Sequence, residues 1–241
     1  MSRAWGLLIV AACLTGVAAK SPSQAQLPCA RADFRKLMEV QVSSTDFHVT
    51  DSALVALGDE IVPCLESILQ DGGRGLGLPE CKDDPERCQV GAVRALGELG
   101  TSRGKDVLVR FLGTTKRERP LHAAIAWVGN LRVAESRPVL LRLLKRKGGY
   151  TRSQVVIALG KIGDRSDFDV MLAATLSFTS ASEVLNGAQG LEFLGDPRAI
   201  VPLENRAMEM ADEPRQKELM RIIGRLSEKS ASTGSNDKRP K

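Results

Sequence analysis

Five stretches of this chain can be laid over one another around a small residue. LVALGDEI, AVRALGELG, AIAWVGNLR, VVIALGKIG and AQGLEFLGD place Gly58, Gly97, Gly129, Gly160 and Glu192 at one equivalent position, at intervals of 39, 32, 31 and 32 residues. Self-similarity at such a period marks stacked units, each of which cannot bury its apolar face alone. The longer first interval is accounted for by an insert, DGGRGLGLPECKDDPERC, over residues 71–88.

Within a unit the apolar residues recur at helical spacing. In the second, Ala92, Val93, Leu96 and Leu99 form one stripe, Gly100 can end the helix, and Val107, Leu108, Phe111 and Leu112 begin another. The third repeats the pattern with Ala124, Val128 and Leu131, then Val139, Leu140, Leu143 and Leu144. Pro63, Pro138 and Pro202 fall near the starts of second helices, where a missing N–H costs little. An all-α fold of about five helix pairs is therefore expected over residues 50–210. Residues 26–49, with Phe34, Leu37, Met38 and Val40, read as an N-terminal cap. Residues 211–228 read as a C-terminal capping helix burying Leu219, Met220, Ile222, Ile223 and Leu226. The polar stretch 229–241 lacks large apolar residues and is expected to be disordered.

With these residues in place, the unit resembles HEAT-like repeats, particularly the bacterial type also seen in phycobilisome lyases, with a pattern like AxxALGxLGdxxAvpxLxxLL. The resemblance covers most of the chain and implies an α–α superhelix of the HEAT/armadillo type, whose second helices line the concave face. It implies a scaffold or binding surface more than an activity, since fold alone does not license function.

The first residues read as an export signal over residues 1–25. Arg3 supplies a positive start, the run from Ala4 to Ala19 is almost wholly apolar, and Val17-Ala18-Ala19 or Ser23-Gln24-Ala25 offers a small-residue cleavage site. Val10-Ala11-Ala12-Cys13 also resembles a lipobox, in which Cys13 would carry the lipid. Either route places the protein outside the cytoplasm, in a periplasm, secreted, or lipid-anchored to the envelope. The apolar run is shorter than the ~20 residues that span a bilayer. Cys29, Cys64, Cys81 and Cys88 then remain, an even number suited to an oxidising compartment. Of the three connectivities, Cys81–Cys88 closing a short polar loop and Cys29–Cys64 tying the N-terminal segment to the first repeat are favoured. A metal site with His48 as third ligand would need a non-standard cysteine spacing.

Chemistry-bearing motifs are scarce. The chain has two histidines, His48 and His122, and no His-Glu dipeptide of the kind that HEAT-like hydroxylases use. GTSRG around Ser102 matches a nucleophile pattern but joins two helices instead of a strand and a helix. GGRGLG lacks both a preceding strand and a P-loop lysine and reads as a flexible loop, while pigment lyases act in the cytoplasm. Trp127 stands where neighbouring repeats have Ala95 and Ala158 and reads as packing; His122 reads as a helix-start residue, and Asp164, Asp167 and Asp169 as helix N-terminal charge. No catalytic residue, metal or cofactor is assigned.

The net charge of +5 permits an acidic partner without demanding a polyanion. Few aromatics are available for base stacking, which argues against nucleic acid. In the repeat frame Lys105 stands opposite Arg137 and Arg110 opposite Arg142, with Arg117 and Arg146 following the two helices. These six are the candidate partner-binding residues, a two-row basic ladder on adjacent second helices. In the fourth unit Phe168 and Ala173 take the ladder positions, and Met171, Leu172, Leu176 and Phe178 suggest a passage from basic to apolar surface. The expected function is a non-enzymatic protein-binding scaffold outside the cytoplasm, for a partner with acidic and apolar surface. The alternative is an envelope-associated structural protein or lipoprotein on anionic surfaces.

Overall fold

A computed structural model describes residues 29, 32–43, 52–77, 79–145 and 148–236. The regular structure among them is helical throughout. The short N-terminal helices are α1 (Ala32–Ser43), α2 (Ser52–Leu57), α3 (Val62–Asp71) and α4 (Pro79–Asp83). Then come α5 (Pro85–Leu99), α6 (Ser102–Thr114), α7 (Glu118–Asn130), α8 (Arg137–Leu144), α9 (Gly149–Ile162), α10 (Phe168–Leu176), α11 (Ala181–Leu194), α12 (Ile200–Met208) and α13 (Glu213–Asn236). The odd-numbered helices from α5 to α13 pack each on the next, and each even-numbered helix from α6 to α12 packs on the odd-numbered helix that follows it. Leu96, Leu108, Leu140 and Leu159, at 0% exposure, fill the space between the rows, each contributing about 1.5–3 kcal/mol by burial.

The turns explain the period. Gly100, Gly163 and Gly195 end α5, α9 and α11 with φ of 60°, 85° and 72°, and their N–H groups donate to the carbonyls of Leu96, Leu159 and Leu191. After α7 the same place is taken by Arg132 with φ 51°, a conformation that costs an L-residue with a side chain. Thr101 accepts from the Gly104 N–H and so caps α6, which leaves GTSRG as a turn between helices. Pro63 and Pro138 sit in the first turn of α3 and α8.

The in-helix glycines set the distance between units. A Cβ on Gly97 would fall 2.1 Å from the Trp127 ring, one on Gly129 2.8 Å from Ala158 Cα, and one on Gly160 2.0 Å from the Gly190 carbonyl oxygen. Each contact joins equivalent positions of successive units, and Trp127 packs on the adjacent helix as its place in the frame suggests. At the last interface the position is Glu192, which forms a two-pronged ion pair with Arg225 at 2.7 and 2.9 Å.

Both favoured disulfides are present. Cys29–Cys64 and Cys81–Cys88 have S–S distances of 2.03 and 2.00 Å. The insert carries short helical turns of its own, with Arg74, Gly75, Lys82 and Asp83 exposed and its two cysteines turned inward. Gly72 and Gly73, both at positive φ, turn the chain out of α3, and Asp84 caps α5 by accepting from the Arg87 N–H. Cys81 and Cys88 are fully buried, so the bridge belongs to the core. Gly58, at φ 59° beyond the end of α2, is a turn glycine and corresponds to Gly100 instead of Gly97.

Phe34 and Met38 are buried under α5, and Leu219, Ile222, Ile223 and Leu226 are buried along α13, whereas Met220 is 47% exposed. The C-terminal stretch departs from expectation. The helix runs on to Asn236, and Lys229 donates to the carbonyl oxygens of Glu192 and Phe193 at the end of α11, which rewards the extra turns. Residues 1–28 with Cys13, residues 44–51 with His48, residue Arg146 and residues 237–241 are among those that lie outside the described residues.

Candidate functional site

Of the six basic residues, the five that are described do not form a free ladder. Arg110 donates to Glu66 at 2.8 Å. Arg137 grips the buried Asp167 with Nε at 2.7 Å and Nη2 at 2.6 Å, also donates to Ser166, and stands 3.3 Å from Asp164. Those hydrogen bonds hold its guanidinium firmly protonated. Arg137 therefore ties α8 to the turn before α10, and two members of the acidic cluster are occupied with it. Lys105 is half-buried, Arg117 is exposed at the start of α7, and Arg142 is exposed on α8. The apolar continuation also differs, because Met171 and Phe178 are buried while Val170 and Leu176 are the exposed ones.

What the second-helix face does offer is an apolar hollow of about 510 Å³ between α8 and α10. Leu141, Leu144, Val170 and Ala173 line it, with Lys145 and Arg152 among its polar residues. Arg152 donates to Ser177 at 2.8 Å and lies 5.1 Å over the Phe178 ring, while its Nε is buried without a partner.

The opposite face, built by the first helices α7, α9 and α11, carries a different set. A hollow of about 310 Å³ is lined by Ala126, Gln154, Ile157, Lys161, Gln189 and Phe193, with Asn186 beside them. Lys161 donates to Asn130 at 2.6 Å and lies 5.2 Å from the centre of the Phe193 ring. Burial pushes its pKa down, and no carboxylate contributes to hold it up. One helical turn before Gln154 stands Tyr150, the only tyrosine of the chain, 55% exposed. His122 meets it edge to face at 4.9 Å and lies 2.9 Å from the Thr151 hydroxyl. Burial pushes the His122 pKa down, opposed by the charge of Glu118.

Sequence reasoning passed over this face. The signal lay in the repeat frame, where the position after each in-helix glycine or its equivalent reads Glu98, Asn130, Lys161 and Phe193. An outward position that changes from carboxylate to amide to amine to aromatic is not an ordinary solvated face. Among the described residues no group of three or more His, Cys, Asp or Glu is placed to hold a metal ion, and no helix is long and apolar enough to cross a membrane.

No family model matches the chain, and no curated protein matches it. Among solved structures it is similar to the crystal structure of an engineered protein, with 16% identity and a TM-score of 0.49 over 83% of this chain and 98% of that one.

Proposed function

We propose that the chain is an exported, non-enzymatic scaffold, a curved solenoid of HEAT-like repeats that holds a protein partner on its concave face. The observation that carries this reading is on the first-helix face. Tyr150 and Phe193, the exposed aromatics among the described residues, stand on that one face together with Lys161 and the amides of Gln154, Asn186 and Gln189. Aromatic anchors with a polar surround are what binding surfaces display. The glycine contacts favour this side as the inside of the bend. They draw the first helices together to backbone distance, and a row packed tighter than its companion curves toward itself. The concave face is then the first-helix row, the reverse of what the family resemblance implies. The two disulfides support an oxidising compartment.

A second reading has its own observation, the apolar hollow between α8 and α10 with Lys145 beside it and Arg142 exposed on the same helix. Co-purification and crosslinking of the tagged chain from its native envelope separates the two. The first-helix reading expects one protein lost from Tyr150→Ser, Phe193→Ser and retained by Arg142→Glu, Val170→Asp. The opposite pattern moves the site to the second helices. Equal recovery with both discards a partner groove in favour of diffuse attachment to anionic surfaces, which added salt would release.

A further inference from the structure

The first-helix hollow has a shape and chemistry that identify its occupant more closely, and the inference rests on that face being the binding face. We infer that it takes an extended peptide segment of the partner, with a carboxylate on Lys161, main-chain amides on Gln154, Asn186 and Gln189, and an apolar side chain against Ile157 and Phe193.

Lys161 carries the first part. A cation withdrawn from water loses hydration free energy and is ordinarily compensated by a carboxylate. Elsewhere on this chain that compensation is in place, as at Arg137 with Asp167 and Arg225 with Glu192. Among the described residues Lys161 meets the neutral oxygen of Asn130 and the face of Phe193, with no carboxylate in an ion pair with it. Burial lowers its pKa with no opposing charge, so the site gains from an incoming anion. Lys161 also answers the partial negative charge where α9 ends, which is a structural role the test must separate.

The amides carry the second part. A carboxamide offers a donor and an acceptor at once, which is the complement of a peptide unit and of few other groups. Gln154, Ile157 and Lys161 share one face of α9 with Tyr150, at steps of four, three and four residues. At about 1.5 Å per residue that face runs roughly 16 Å from Tyr150 to Lys161, the reach of about five extended residues. Tyr150 and Phe193 then stand near the two ends of the bound segment.

The test uses acetylated hexapeptide pools, with glutamate or glutamine fixed at each position in turn, each made with a free and an amidated C-terminus. Binding to the full mature chain is read by calorimetry. The glutamate pools are expected to bind about tenfold or more tighter than their glutamine twins, the scale of one charge-assisted hydrogen bond. Lys161→Met removes the difference, Lys161→Arg keeps part of it, and Gln189→Ala weakens both pools alike. Arg142→Glu, on the other face, changes neither. Preference for the free C-terminus that survives in glutamine pools assigns the terminal carboxylate; preference that survives amidation assigns a side chain. Equal binding of glutamate and glutamine pools together with equal binding of free and amidated C-termini, or an unchanged preference in a folded Lys161→Met protein, overturns the inference. So does absence of peptide binding. A partner still captured through Tyr150 and Phe193 would then leave the scaffold reading standing while its occupant is not an acidic peptide.

Discussion

Substitution Gly160→Ala tests how the units are joined. Alanine in a helix interior is ordinarily better than glycine by about 0.8–1.0 kcal/mol, and Gly160 lies within α9. Its Cβ would fall 2.0 Å from the Gly190 carbonyl oxygen and 2.7 Å from the carbonyl carbon. These are backbone atoms that cannot rotate aside, so α9 and α11 must part by about an ångström, and overpacking of this kind costs about 1–3 kcal/mol. The cost falls near the upper end because it is borne by the most extensive helix–helix contact among the described residues. Subtracting the propensity gain leaves a net loss of about 2 kcal/mol, a fall of roughly 4–8 °C in Tm for a chain of this size. Gly224→Ala is the control, since nothing stands within 4 Å of a Cβ there. It should keep the propensity gain alone and raise Tm by roughly 2–4 °C. Thermal melts followed by far-ultraviolet circular dichroism decide the matter. If Gly160→Ala melts as high as Gly224→Ala, α9 and α11 do not meet through their backbones.

Three further outcomes are expected. Replacing Cys29 and Cys64 by alanine opens a 35-residue loop and should cost about 4 kcal/mol, against about 2 kcal/mol for the 7-residue loop of Cys81 and Cys88; urea unfolding of the two double variants would contradict this if their order were reversed. Arg132→Gly relieves the left-handed residue at φ 51° and should stabilise by about 1 kcal/mol, measured as a higher urea midpoint at unchanged slope. Burial holds the His122 pKa below its ordinary 6.5, so as pH falls the unfolded chain binds this proton first. Stability should therefore drop as pH is lowered through about 6.5 toward the folded value, and His122→Gln should flatten that part of the curve. A slope identical in the variant would mean that the imidazole is not desolvated.

The helical pairs were legible because their cause is local. Apolar spacing, turn glycines and first-turn prolines act within one unit, and the caps follow from the same stripes. What stayed hidden depends on the neighbouring unit. Lys105 and Arg137 share a position in the frame, yet only Arg137 meets a carboxylate, because the turn of its neighbour supplies Asp167. Gly58 looks like Gly97 in a string of letters, but it turns the chain at positive φ while Gly97 makes room for Trp127. The polar stretch after Glu228 gave no apolar signal, and its helix is held instead by Lys229 on two carbonyl oxygens of α11. The candidate site was missed for a related reason: Tyr150, Lys161 and Phe193 are unremarkable singly and become a surface only when α7, α9 and α11 are set side by side.

The way those helices are set side by side bears on how the face would bind. Gly129 and Gly160 let α7, α9 and α11 approach to backbone contact, and the α9–α11 contact is the most extensive in the described chain. At the next interface the pattern changes, and the Glu192–Arg225 pair with Lys229 replaces the glycine contact. Polar side chains hold α13 at a longer reach than backbone contact allows. The floor under Gln154, Lys161 and Gln189 is thus the part of the first-helix row with the least room to move. On the proposed reading, a groove on such a floor has its backbone set before a ligand arrives, so the ordering that opposes binding is that of the side chains alone. On that proposal the break at Glu192 would mark one end of the groove, beside Phe193, where a bound segment would have to leave the face.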